Sequence, residues 1–444
     1  MKKRRKHFKI RYLVFGLLGV MIIAAFVFMR FGGFGTGETA NPEEFAANAQ
    51  SVEDIAVPEN AKIIALGEAA HGNIEFQQLK LDVFRQMVEK YNVKAFALES
   101  DYGGSEQVNR YIHGGAGTAE EAAEALGFAI YRTEEIAELI SYMREYNESA
   151  PEGEDLRFYG FDMQRIFYSV QFLTEACKNQ GVDTTMLQKL ADGENWSSEY
   201  DYNTRTDVIT QIKNELENKE NSAKAIHYAD MLLQYCEFQT QIESEEESDS
   251  SMLRDKFMAE NVKWILQQEQ QTGRGRIFIS GHNGHVAKWG SFDSMGKLLS
   301  NETDNGYYAI GTDFYKTECN LPAGSAGKRT NQVFYSHDPL AKAAKKAGYD
   351  ICWLDFSSIP ENTELKKLMN QYNYMGNLGE SYSLLMRILP PSYRMFQPPA
   401  VLYDSMIFVA DAKPTKIGYC SHPTGAHSNG ICAFKVAFGE AQMP

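Results

Sequence analysis

The fold is decided by Ala61–Gly72, AKIIALGEAAHG. Ala61–Leu66 is a short, mostly apolar run, the length of a buried strand. Gly67-Glu68-Ala69-Ala70-His71-Gly72 follows at once, with two glycines, an acid and a histidine. A buried strand that breaks into such a loop is the strand-to-helix junction of a parallel sheet, where ligand sites form. The flanking sequence agrees. Ile74–Tyr91 repeats Phe76, Leu79, Val83, Met87 and Tyr91 at helical spacing, and Lys94–Leu98 is the next short apolar run. Glu134–Tyr146 is again helical, with Ile136, Leu139, Ile140 and Met143 on one face, and Leu156–Phe161 reads as a strand. This alternation predicts an α/β fold with a mostly parallel sheet.

Further along, 163–272 is polar and rich in Glu, Gln, Lys and Leu, with an amphipathic stretch at Phe257–Leu266. It predicts a helical subdomain inserted between two strands. Strand candidates resume at Arg276–Ser280, Tyr307–Ile310, Asp350–Leu354 and Met406–Ala410, while 316–349 shows no decisive pattern.

Five expected strand ends carry an acid or a histidine: Glu68 and His71, Glu99, Asp162, His282 and His285, and Asp313. Strand ends of a parallel sheet converge in space, so residues remote in sequence are expected in one cleft. A histidine near its ordinary pKa can take a proton from water at neutral pH. Glu68 or Glu99 would fix the tautomer of His71, and His282 or His285 would stabilise an oxyanion or protonate a leaving group. Asp162 and Asp313 have helix capping as a competing role. A divalent metal held by Glu68, His71, Glu99, His282 and His285 is the rival chemistry. No G-x-S-x-G elbow, P-loop or dinucleotide fingerprint is present.

Charge narrows the class. Eight of the 44 Lys and Arg lie in residues 1–30, which contain no acid, leaving 36 bases against 59 acids in the body. So acidic a body is unsuited to a phosphate backbone, and a nucleic-acid partner is not expected. The basic residues 1–11 precede an uncharged apolar run, Tyr12–Met29, long enough to cross a bilayer as a helix. The expectation is a single-pass anchor with a cytoplasmic N-terminus, a Gly-rich stalk at 30–40, and one extracellular domain over 41–444. A cleaved signal peptide is the competing reading. An exported body permits disulfides among the six cysteines, including a short loop closed by Cys420 and Cys432; a zinc site there with His422 and His427 is an alternative.

At these positions the sequence resembles the erythromycin esterase family. The resemblance is carried by LGEAAHGNIEFQQLK (66–80), AFALESDYGGSEQVNRYIHG (95–114), YRTEEIAELISYMREYN (131–147), FYGFDM (158–163), LRDKFMAENVKWIL (253–266), SGHNGHVAK (280–288) and YYAIGTDF (307–314). It implies a hydrolase that uses no covalent intermediate and no metal or cofactor. It also implies an α/β core with an added helical subdomain and a cleft between them. His71 is the implied base that activates water against an ester or lactone carbonyl; Glu68, Glu99, His282 and His285 match the other active-site positions. Lys80 stands where relatives often carry arginine, and with Asp162 and Asp313 it is an expected substrate-binding group. An anchor would set this chain apart from antibiotic-cleaving members, which are cytoplasmic, and leaves the substrate open between a macrolide and another small ester or lactone. A surface protein that binds a small molecule without turnover is the reading from a different class.

Overall fold

A computed structural model of the chain describes residues 2–30, 39–243, 247–290, 292–323 and 328–418. All seven expected strands form. They are β1 (Ile63–Glu68), β2 (Ala95–Asp101), β3 (Arg157–Asp162), β4 (Ile277–His282), β5 (Tyr307–Ala323), β7 (Ile351–Asp355) and β8 (Ser405–Ala412), and β6 (Lys328–Tyr335) completes one sheet. The order is β3-β2-β4-β1-β5-β8-β7, with β6 paired to β5. The β3-to-β8 portion is parallel throughout; β7 and β6 run antiparallel to their neighbours.

Side chains alternate across the sheet, so β1 feeds two cores. Ile64 and Leu66 join the core covered by the helices Ile74–Tyr91 and Glu134–Ser149. Ile63 and Ala65 join the opposite core, with Met258, Val262 and Ile265 of the helix Glu247–Gln271 and Leu299 of Met295–Glu302. Each fully buried Ile, Leu or Phe stabilises the fold by about 1.5–3 kcal/mol relative to exposure. Burial on both faces explains why these strands read as apolar runs without alternation.

The helical insertion is present, with long helices at Phe167–Gln180, Tyr202–Leu216, Ala223–Glu243 and Glu247–Gln271 around a third apolar cluster. It also holds a two-residue hairpin at Ala191–Asp192 and Asn195–Trp196, too short to leave a pattern. The larger departure is β5, expected as four residues and found as seventeen. Its second half leaves the buried sheet and becomes a half-exposed hairpin with β6: Thr317, Cys319 and Leu321 are buried, while Glu318 is exposed. That polar alternation hid it within 316–349, where the sequence shows no decisive pattern.

Cys177, Cys236, Cys319 and Cys352 are buried free thiols, so the disulfides permitted by an exported body do not form among the described residues. The loop between Cys420 and Cys432, and most of the Gly-rich stalk, lie outside the described residues. Residues Lys2–Arg30 form one helix. Among the described residues no helix is long and apolar enough to cross a membrane.

Candidate active site

The carboxyl ends of β1, β2 and β4 lie side by side, and the register fixes who meets whom. Glu68, the last residue of β1, is paired with His282, the last of β4. Pairing of β2 with β3 slips between Leu98 and Asp101, and Glu99 sits in that irregularity. Such bulges re-aim a side chain.

His71 lies three residues beyond Glu68 in the loop. Its Nδ1 is 2.6 Å from Glu68 Oε1, and Lys80 Nζ donates to Glu68 Oε2 at 2.5 Å. Lys80 also donates to Gln77 Oε1 (3.0 Å), and Gln77 Nε2 donates to the His71 carbonyl (3.0 Å). The loop is thus held from the helix Ile74–Tyr91. It is held from the other side by β5, where Asn320 N–H donates to the Gly72 carbonyl (3.1 Å). A Cβ on Gly72 would stand 2.2 Å from the Asn320 carbonyl oxygen, so only glycine allows this approach.

The electrostatics follow from burial and partners. Burial alone would raise the Glu68 pKa, but the Lys80 ammonium, with His71, brings it down to about 2. Burial alone would lower the His71 pKa; the Glu68 carboxylate outweighs it and the net shift is upward. Because an ionised carboxylate only accepts, Nδ1 carries the proton and Nε2 is the basic atom. That Nε2 has no hydrogen-bond partner among the described residues.

The His282 ring lies 4.9 Å from that of His71, centre to centre. Burial, then the neighbouring His71 and His285, pushes the His282 pKa down to about 3, so the ring is neutral. Gly284 N–H donates to its Nδ1 (3.4 Å), which leaves the ring proton on Nε2. That Nε2 is buried without a partner among the described residues. A neutral N–H donor with nothing to donate to, beside a histidine base, is suited to a developing oxyanion.

Behind His282 lies an ionic network. Glu99 Oε2 accepts from the His282 backbone N–H (2.7 Å), and Glu99 Oε1 accepts from Arg254 Nη2 (2.7 Å). Arg254 Nη2 also donates to Asp162 Oδ2 (2.7 Å), and Arg254 Nη1 lies 3.2 Å from His285 Nε2. His285 Nδ1 is 2.8 Å from Asp255 Oδ1. Burial would raise the Glu99 pKa, but His285 and Arg254 hold it well below the usual carboxylate range. Burial would lower the His285 pKa, but Asp255 and Glu99 carry it upward.

Of the expected site residues, Glu68, His71, Glu99, His282 and His285 come together. Lys80 and Asp162 stand one layer back: Lys80 is buried against Glu68, and Asp162 is fully buried against Arg254. Asp313 does not join them. Its carboxylate accepts from Ser336 Oγ (2.7 Å) and the Gly376 N–H (3.0 Å), and burial beside Asp338 drives its pKa well above the carboxylate range. It caps no helix either: its partners are a serine hydroxyl and strand backbone. Arg254 and Asp255 were not singled out as site residues. Spacing does not single them out: Lys256 beside them also stands three residues before a buried residue, Ala259, and is exposed. Among the described residues no group of three or more His, Cys, Asp or Glu is arranged to hold a metal ion. Glu68 and Glu99 are each engaged by a cationic side chain instead.

The chain has relatives in sequence and in fold. The sequence profile described as erythromycin esterase matches residues 88–412. The chain is 25% identical to erythromycin esterase type II of Escherichia coli over 69% of its own length and 83% of that protein's. It is 24% identical to the putative hydrolase YbfO of Bacillus subtilis over 57% of its length, spanning 65% of that protein. Its fold is similar to that of a Bacillus cereus protein of known crystal structure (18% identity, TM-score 0.72, 85% of this chain and all of that one). It is also similar to a succinoglycan biosynthesis protein (18%, TM-score 0.66, 85% and 98%). A histidine-to-asparagine mutant of erythromycin esterase EreC in its open conformation is a third (17%, TM-score 0.56, 81% and 93%). Membership suggests a hydrolase acting on a small molecule, and the profile match across most of the body shows that the chain belongs to the erythromycin esterase family.

Proposed function

We propose that the protein is a hydrolase that cleaves an ester or lactone by direct attack of water, with His71 as general base. The observation that carries this reading is the His71–Glu68 pair, whose Nδ1 is engaged at 2.6 Å and whose Nε2 is left open beside the neutral His282. Water held at His71 Nε2 loses a proton to the ring as its oxygen attacks the carbonyl carbon. Glu68 stabilises the imidazolium that forms. His282 Nε2–H donates to the oxyanion. Arg254 holds Glu99, and Glu99 holds the His282 backbone, so the donor is preorganised.

The proposal extends to location: the body works outside the membrane, held by the N-terminal helix. Tyr12–Met29 is uncharged and preceded by seven of the eight basic residues of 1–30. The side chains described there, among them Val14, Leu17, Val20 and Ile23, are exposed on all sides of the helix. A helix apolar all round has no ordinary place in water.

The test is a panel of aliphatic esters, lactones and macrolides assayed with the purified chain and its His71→Ala variant. Hydrolysis that survives the substitution would sink the mechanism. Fractionation of cells, with protease added outside, tests the location: a body that stays protected overturns it.

A further inference from the structure

His285 forms a second histidine–carboxylate pair, assembled from different elements. It lies in the short helix that follows β4, and its partner Asp255 lies on the Glu247–Gln271 helix. Asp255 is 1% exposed. Its Oδ1 receives two contacts, His285 Nδ1 at 2.8 Å and the backbone N–H of Met295 at 2.8 Å. A carboxylate that already accepts from a backbone N–H stays an acceptor, so the hydrogen between Asp255 and the ring belongs to Nδ1. Every change of charge at His285 is then read at Nε2.

That Nε2 has two partners with opposite demands. Arg254 Nη1, 3.2 Å away, only donates, and so requires an unprotonated Nε2. Glu99 Oε1, 3.4 Å away, is an ion-pair contact and so favours a protonated ring. The hydrogen bond from Arg254 and the ion-pair contact with Glu99 favour opposite protonation states, and each state has a partner in place. His71 Nε2 and His282 Nε2 have neither. An atom provided for in both states is what a proton donor that must be reloaded requires. The His285 side chain is also the more open of the two paired rings, at 19% exposed against 7% for His71.

We propose that Asp255 is a positioning residue that commits His285 to be the proton donor to the leaving group. This rests on the hydrolase reading above. His285 enters as the imidazolium with Nε2–H toward Glu99. When the carbonyl carbon–oxygen bond of the tetrahedral intermediate breaks, its electron pair goes to the leaving oxygen, which takes that proton. Neutral Nε2 then accepts from Arg254 until solvent returns a proton. The proton taken from water by His71 leaves to solvent, so the products are one acid and one alcohol, with no co-reactant. The charged groups that face His285 are Asp255 and Arg254 from the helix and Glu99 from β2; the neutral ring of His282 faces it from its own strand end.

The test is Asp255→Asn in the full chain. Both contacts of Asp255 fall on one oxygen, which asparagine retains, so the substitution removes charge and little shape. The probes are an alkyl ester, whose alkoxide needs a proton to leave, and the matching p-nitrophenyl ester, whose phenolate does not. Expected is a fall of about 100-fold in kcat for the alkyl ester with KM little changed, and less than about threefold for the aryl ester. The His285 titration followed by NMR should move down by about one pKa unit or more. Equal losses on both esters, or none, overturn the proposal. If the parent hydrolyses neither ester, the hydrolase reading fails separately, and the titration alone decides whether Asp255 sets His285. If the variant does not fold, ring nitrogen shifts of the parent at high pH decide. A neutral His285 protonated on Nδ1 supports the proposal, and one protonated on Nε2 overturns it.

Discussion

His71 and His285 present nearly the same local geometry and come from opposite kinds of structure. Each gives Nδ1 to a buried carboxylate oxygen, at 2.6 and 2.8 Å. His71 and Glu68 are three residues apart in one loop, and the helix that follows supplies Lys80 to the same carboxylate. His285 and Asp255 are 30 residues apart and meet only because a helix of the insertion packs across the sheet. The local pair leaves its Nε2 open, and the assembled pair is engaged on both ring nitrogens. One carboxylate–histidine pair is therefore free to react first, while the other is wired to the network that shapes the site.

The comparison breaks most directly at His71. His71→Ala is expected to lower kcat by about 10³- to 10⁴-fold with an unchanged melting point, because it removes the base and leaves no buried charge beyond the Glu68–Lys80 pair. The corresponding break on the other side falls on stability. Arg254→Ala leaves Glu99 and Asp162 buried with no guanidinium, and a loss of about 3–5 kcal/mol is expected in denaturant titration. Glu68→Gln is intermediate. It removes the charge that raises the His71 pKa, so the acid limb of the rate profile should move to lower pH and kcat should fall by about 100-fold. Retention of the parent profile would show that Glu68 does not set His71.

Stability against pH sharpens the same contrast. His282 and His227 are kept neutral by burial, with pKa values near about 3 against 6.5 unfolded. A group whose pKa is depressed on folding adds stability that is full above its unfolded value and is lost as pH falls toward its folded one. Each should remove about 1.4 kcal/mol per pH unit between roughly 6.5 and 3. Glu68 adds a loss below about 4.5, its unfolded value, that continues to about 2. His71 and His285, raised on folding, act in the other direction: their contribution is present below about 6.5 and fades as pH climbs through their higher folded values. Urea midpoints at pH 7, 5 and 4 should therefore fall steeply on acidification. The smallest effect belongs to Asp313→Asn. Its carboxylate bonds Ser336 and the Gly376 N–H, away from the histidines, and kcat should stay within about twofold.

The strand ends were legible because buried parallel strands are apolar runs, and what interrupts them is conspicuous. Glu68, His71, Glu99, His282 and His285 all stood at such interruptions. Asp313 stood at one too and was misleading, since β5 continues past it and carries its side chain into structural bonds. Arg254 and Asp255 were obscured for the opposite reason. They lie inside a helix rich in charge, where an inward-facing Arg-Asp looks like any other pair of surface charges.

The sequence by itself determined the parallel α/β core, the helical insertion and the five residues that meet at the strand ends. Those depend on period and on local breaks in it, which one chain segment contains. Tertiary structure alone decided how charge is distributed among the histidines. His71 and His285 are raised and His282 is lowered because burial acts on all three, while only two of them face a carboxylate across 2.6–2.8 Å. The His285–Asp255 distance is set by how a helix 30 residues away in sequence packs on the sheet, and the burial of all three rings by the layers around them; no local pattern records either.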